Sequence, residues 1–148
     1  AYSTNPEGPT YEILIKACLG FGNVIAQNLV EPDCYIVDKE NLDIKEQQIN
    51  KQEWQFARNF ETGETTKILI SDNKSNAKKL DDYEIMKVAR ITKKIESLFE
   101  KPQQVEWAIE GDEYFIFETK PVIQTVKPEE EQTEDEQPEE VEDSTGAE

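Results

Sequence analysis

The sequence predicts a small α+β domain built on a largely antiparallel sheet. Three observations carry this. Short apolar runs recur between turn signals, residues 82–100 show helical periodicity, and two aromatic and β-branched runs flank a glycine turn near residue 111. Residues 11–15 read as the first strand, after turn signals at Pro6, Gly8 and Pro9. Gly20-Phe21-Gly22-Asn23 then leads into residues 24–30, a short helix ended by Pro32. Residues 34–38 read as a second strand. From Leu42 to about Ile70, apolar patches around Ile44, Ile49, Trp54 and Ile68 read as a meander of short strands, with a turn at Thr62-Gly63. The helix over residues 82–100 has Asp81 as its N-cap and Glu84 three residues on, a capping-box pattern. Ile85, Val88, Ala89, Ile95, Leu98 and Phe99 make its apolar face, and Pro102 stops it. Residues 105–109 and 114–118 close the pattern as a hairpin.

The chain has 148 residues, with 33 acidic and 16 basic side chains and a net charge of −17. That balance argues against nucleic acid as a main partner, because phosphate binding needs a basic surface. No apolar run approaches the roughly 20 residues of a membrane helix, and the polar start has no secretory pattern. With Cys18 and Cys34 as the only cysteines, neither a disulfide scaffold nor a zinc site is expected, and a reduced cytoplasmic setting is the default. The chain has no histidine, which excludes a Ser-His-Asp triad, a Cys-His pair and a phosphohistidine carried by this chain. The charge is uneven: residues 129–148 hold eleven acidic side chains and no basic one. Such a segment buries too little apolar surface to offset its ordering entropy. The expected organisation is therefore a domain over residues 1–126 and a disordered acidic tail or linker over 127–148.

The hairpin holds the most informative pair. If Gly111, Asp112 and Glu113 form the turn, residue 110 faces 114 and Glu106 falls directly opposite Glu118. Opposed side chains share a face about 5 Å apart at Cβ, where like charges repel. A divalent cation removes the conflict, and hard carboxylate oxygens suit Mg²⁺. The bland alternative is that both carboxylates face water, or that a one-residue slip sends them to opposite faces. Lys120 follows Glu118 by two residues, on the same face if the strand continues. It is either a surface lysine before Pro121 or a cation placed to neutralise phosphate charge. The second feature is the glycine turn. Gly20 and Gly22 precede a helix start, where backbone amides can hold phosphate. The turn lacks the third glycine of a dinucleotide fingerprint and the Lys-Ser/Thr of a P-loop. Spacing alone describes a tight strand-to-helix turn first.

Several segments together resemble the second half of the nucleotide-binding domain of the phosphoenolpyruvate synthase and pyruvate phosphate dikinase family. They are Tyr2-Ser3-Thr4-Asn5-Pro6, the block from Gly20 through Gln27 to Asp33, Pro102-Gln103-Gln104-Val105-Glu106-Trp107-Ala108-Ile109, and Phe117-Glu118-Thr119-Lys120-Pro121-Val122. The resemblance spans roughly residues 1–124. It implies an ATP-grasp subdomain, the later of two α+β units that clasp ATP. It implies that Glu106 binds the magnesium bridging the ATP phosphates and that Gly20, Gly22, Asn23 and Gln27 line the nucleotide cleft. Glu118 matches a position where the family usually has Gln, another oxygen ligand to the metal. Lys120 stands where the family usually has a phosphate-contacting Arg; it keeps the charge but loses the bidentate fork. Asn23 replaces a frequent Glu near the nucleotide.

In the complete enzymes of that family, ATP phosphorylates a histidine on a swivelling domain, and the overall reaction converts ATP, pyruvate and water into phosphoenolpyruvate, AMP and phosphate. The resemblance therefore implies ATP and Mg²⁺ as cofactors. It implies the first ATP-grasp subdomain and the phosphohistidine domain as partners. The chain is expected to be a fragment or a split subunit, inactive alone, and to self-associate through the uncovered cleft surface. The alternative is a non-catalytic scaffold or interaction subunit that retains the fold, motivated by the three departures at Asn23, Glu118 and Lys120.

Overall fold

The computed structural model describes residues 1–123. The expected boundary at 126 and the tail over 127–148 lie outside the described residues. In chain order the elements are β1 (Glu12–Ala17), α1 (Asn23–Ala26), β2 (Asp33–Asp38), β3 (Ile44–Gln48), β4 (Trp54–Arg58), β5 (Thr65–Leu69), α2 (Asp72–Ser75), α3 (Asp82–Phe99), β6 (Gln103–Glu110) and β7 (Glu113–Pro121). The class is α+β with antiparallel pairing throughout, as the alternating runs predict.

β1, β2 and β3 pair in that order, and β6 pairs with β7. Tyr2 joins the two groups, because it bridges Leu14 of β1 and Gln104 of β6, antiparallel to both. Its N–H donates to the Leu14 carbonyl at 2.7 Å and its carbonyl accepts from Leu14 at 3.1 Å. On the other side, the Ser3 N–H donates to the Gln103 carbonyl at 2.8 Å, and Val105 donates to Ala1 at 2.7 Å. The N-terminal segment thus closes one continuous sheet. β4 and β5 form a separate two-stranded unit.

Side chains alternate across a strand, so one parity faces each side. Ile13, Ile15 and Ala17 of β1 and Tyr35 and Val37 of β2 are buried against Ile85, Val88 and Ala89 of α3, with Leu80 at the helix entrance. Trp107, Ile109 and Tyr114 extend this layer across the β6–β7 hairpin. Each fully buried aliphatic side chain stabilises the fold by about 1.5–3 kcal/mol, so the layer is the main source of stability. Among the described residues, α3 is the helix that packs extensively on the sheet, and it takes one face.

The capping box is present as expected. Asp81 accepts from the Glu84 N–H at 2.7 Å, and the Glu84 side chain accepts from the Asp81 N–H at 3.0 Å. Asp81→Ala is expected to cost about 1 kcal/mol, read as a fall in the urea midpoint at unchanged slope. Glu96, further along α3, accepts from Ser3 at 3.0 Å, Thr4 at 2.8 Å and Lys39 at 3.1 Å, which pins the N-terminal segment to the helix. Burial alone would raise the Glu96 carboxyl; these hydrogen bonds and the Lys39 cation hold it below its ordinary value.

Four expectations need correction. The helix over residues 24–30 is a single turn, Asn23–Ala26, because Asn28 adopts φ 53 and ends it well before Pro32. The meander from Leu42 to Ile70 is two structures, with β3 adding to the main sheet and β4–β5 standing apart. The apolar face of α3 fades at its end, where Leu98 is 71% and Phe99 51% exposed, and Glu100 in the left-handed region terminates the helix ahead of Pro102. Thr92 takes a buried place instead, its hydroxyl satisfied by donating to the Val88 carbonyl at 2.7 Å. Finally, the last hairpin turn is shorter than counted: Glu110 faces Glu113 across Gly111-Asp112, with Gly111 at φ 60. Glycine at the first central position meets that tight turn without steric cost.

Candidate functional site

Glu106 nonetheless pairs directly with Glu118. The register shifts between Glu106 and Trp107, so the irregularity absorbs the residue that the shorter turn removed. Such a bulge re-aims the side chains beside it. Lys120 pairs with Gln104 one step along. Buried Gln103 and Val105 lie on the α3 side of β6, so Gln104 and Glu106 point the other way, and Glu118 and Lys120 follow by register. The structure therefore brings Glu106, Glu118 and Lys120 together on the sheet face opposite α3. All three are exposed.

The same face carries groups that sequence reading missed. Tyr2 stands opposite Gln104, whose side-chain amide donates to the Tyr2 hydroxyl at 3.4 Å. The Lys16 ammonium lies 6.0 Å from the centre of the Tyr2 ring. Both β1 and β6 run antiparallel to the Tyr2 segment, so two residues beyond Leu14 and Gln104 put Lys16 and Glu106 at one level. The signal existed in the alternation of Glu12, Leu14 and Lys16, but only the Tyr2 bridge fixes which strand those residues face. Among the described residues, neither Glu106 nor Glu118 forms an ion pair, and no three His, Cys, Asp or Glu side chains gather as a metal cage. Two opposed carboxylates with open space above them fit Mg²⁺, which keeps several waters and is bound through one or two carboxylates plus phosphate oxygens.

Gly20, Gly22, Asn23 and Gln27 are not part of that cluster. They lie in the turn and single helical turn after β1, all exposed. Gly20 is required for packing: at φ 76 an added Cβ would sit 2.4 Å from the Phe56 carbonyl oxygen and 2.9 Å from the Gln55 Cβ of β4. The Phe21 N–H donates to that same Phe56 carbonyl at 3.1 Å. Gly20→Ala is expected to cost about 2–4 kcal/mol through strain and overpacking, read by chemical denaturation. Gly22 has ordinary φ and open space where a Cβ would go, so Gly22→Ala is expected to stay within about 1 kcal/mol.

The largest feature that sequence reading missed is a buried ion pair. The Lys79 ammonium donates to Asp33 at 2.7 Å and to the Asn50 carbonyl at 2.7 Å, and both side chains are at most 1% exposed. Asp33 also accepts from the Tyr35 hydroxyl at 2.7 Å and from the backbone N–H groups of Asn50 and Lys79 at 2.9 Å. Burial alone would raise the Asp33 carboxyl, but these donors hold it below its ordinary value. This network ties β2, the segment before β4 and the entrance of α3 at one point.

The family model for the pyruvate phosphate dikinase AMP/ATP-binding domain matches residues 1–142. The chain belongs to this family. A probable phosphoenolpyruvate synthase of Archaeoglobus fulgidus is 34% identical over 141 residues, covering 95% of this chain and 18% of that protein. The phosphoenolpyruvate synthase of Pyrococcus furiosus is 36% identical over 138 residues, covering 88% of this chain and 17% of that protein. A rifampicin phosphotransferase of Bacillus subtilis is 31% identical over 108 residues, 73% of this chain and 12% of its own length. The chain thus spans less than a fifth of each of these relatives. It is an AMP/ATP-binding domain homologue, and the family read from residues 2–6, 20–33, 102–109 and 117–122 is the one found.

Proposed function

We propose that this chain is the magnesium- and phosphate-contacting part of the nucleotide site of a phosphoenolpyruvate synthase-type phosphotransferase. The observation that carries the reading is the register of the last hairpin, which sets Glu106 against Glu118 and Lys120 beside them on the face left open by α3. Glu106 and Glu118 would hold Mg²⁺. When bound, the ion neutralises charge on the nucleotide phosphates. Lys120 adds a fixed positive charge for the transferring phosphoryl group, and Lys16 stands on the same face as a further cation. Phosphoryl transfer asks the protein mainly for positioning and charge, and this face presents charge. Gly22, Asn23 and Gln27 are proposed to line the nucleotide edge, with Gly20 holding their turn against β4.

The first ATP-grasp subdomain and a phosphohistidine domain complete the proposed assembly. Within it the overall reaction would be the conversion of ATP, pyruvate and water into phosphoenolpyruvate, AMP and phosphate. The acceptor is the open variable, because an antibiotic phosphotransferase also shares this unit. Calorimetry with ATP, with and without Mg²⁺, tests the proposal on this chain alone and mixed with the complementary subdomain. Binding that needs both Mg²⁺ and the mixture is expected. Two folded, associated pieces with no affinity for ATP would favour the scaffold reading.

A further inference from the structure

The solvent side of α3 carries a row of cations. At roughly 100° per residue, Lys87, Arg90 and Lys94 fall within about 60° of arc, and Lys101 follows just past the helix end. Arg90, Lys94 and Lys101 are exposed. Lys93, beside the row, donates to the Glu40 carbonyl at 3.3 Å, and Lys87 lies 4.2 Å from the centre of the Tyr114 ring. Among the described residues none of these five cations is paired with a carboxylate. The acids of α3 itself, Asp82, Glu84 and Glu96, project at least about 80° away from Lys94 on the same helical count. A domain with 22 acidic and 15 basic side chains in residues 1–123 thus keeps an unneutralised basic row on one helix.

The last strand before the chain's own acidic segment ends near this row. The Val122 N–H donates to the Pro102 carbonyl at 3.0 Å, so β7 ends next to the C-terminal end of α3. From Val122, Glu129 is within about 23 Å of extended chain, while Arg90 lies only about 14 Å back along the helix from Phe99. Residues 129–143 supply Glu129, Glu130, Glu131, Glu134, Asp135, Glu136, Glu139, Glu140, Glu142 and Asp143 without one basic side chain. A flexible tether of that reach would hold these carboxylates at a millimolar effective concentration near the row.

We propose that the acidic segment 129–143 folds back in cis onto the Arg90, Lys94 and Lys101 face of α3. Each exposed pair contributes little, so the association rests on several pairs and on tethering, and it weakens with salt. This face lies on the opposite side of the sheet from Glu106 and Glu118, so the inference stands independently of the proposed nucleotide site.

Zero-length carbodiimide cross-linking of the full chain tests it, with the joined peptides read by mass spectrometry. Mixing isotope-labelled and unlabelled chains separates links within one chain from links between two. At low ionic strength, links from Lys94 and Lys101 to residues 129–143 of the same chain are expected at about five times the yield of links to exposed Lys45, Lys67 and Lys74. In 0.5 M NaCl, where screening shortens to a few ångströms, that excess is expected to vanish. The triple variant Arg90→Gln, Lys94→Gln, Lys101→Gln gives a second reading through amide NMR shifts of residues 129–143. Those shifts should move to the high-salt values of the unmodified chain. Links spread evenly over all exposed lysines, links mainly between labelled and unlabelled chains, or tail shifts unchanged in the folded triple variant would each overturn the proposal.

Discussion

Lys79→Met is expected to destabilise the domain by about 3–5 kcal/mol, because it leaves the Asp33 carboxylate buried without its cation. Against a total stability of about 5–15 kcal/mol this is a large fraction, and it predicts a fall in Tm of about 10–20 °C. The network explains the size. Asp33 keeps three donors when Lys79 goes, but the Asn50 carbonyl loses its partner and the charge loses its counter-ion. The pH dependence has a definite sign. The folded-state value of Asp33 is depressed, so its contribution is fully present above about pH 4, the unfolded value. It is lost as pH falls through the lower folded value. In the variant, burial acts on Asp33 without the opposing cation, so protonation relieves the site. The deficit relative to the unmodified protein is therefore expected to be largest near neutral pH and to shrink below pH 4. Urea unfolding at pH 7 and pH 3 measures both. An equal deficit at the two pH values would show that lost packing by the lysine stem, and not charge, sets the cost.

That network also shows where sequence reading stops. Asp33 and Lys79 are 46 residues apart, one opening β2 and the other lying just before α3. Nothing in periodicity or capping pairs them. Local signals behaved differently. The Asp81–Glu84 box is legible because both partners lie within one helical turn, and α3 begins where they place it. The strands at Glu12–Ala17 and Asp33–Asp38 are legible because their alternation reflects one buried face. The end of α3 misleads because Leu98 and Phe99 continue the apolar count past the point where the sheet still covers the helix. Periodicity reports a residue's side of the helix but not how far the neighbouring layer extends.

The candidate site was half legible, for a reason that is partly compensation. The Glu106–Glu118 pairing follows from a three-residue turn, whereas the turn has two residues and a register shift restores the count. Neither the short turn nor the bulge is coded in a way that spacing alone exposes. Gly111 permits both turn lengths, and a bulge in a run such as Tyr114-Phe115-Ile116-Phe117 breaks no apolar pattern. The open face could not be read at all until Tyr2 joined β1 to β6. That single bridge is what sets Lys16 and Tyr2 beside Gln104, Glu106 and Lys120.

The sharpest consequence of this face is a sign inversion. In Glu106→Gln with Glu118→Gln, Mg²⁺-dependent ATP affinity of the complemented protein is expected to fall by at least about 100-fold, equivalent to about 2.7 kcal/mol. The Mg²⁺-free affinity is expected to rise or hold, because two negative charges are removed from the surface proposed to meet the phosphates. A general loss of structure would lower both. Both side chains are exposed and opposed like charges disfavour the hairpin, so the fold is expected to hold, with a thermal midpoint unchanged or slightly raised. Lys120→Gln separates the third group: it should lower affinity with and without Mg²⁺, and Lys120→Arg should restore it, because a cation's attraction to phosphate does not need the metal. Calorimetric titrations with and without Mg²⁺ on these variants yield the comparison. If the double variant loses no more affinity with Mg²⁺ than without it, Glu106 and Glu118 are not the metal ligands, and the cation must be held by the complementary subdomain.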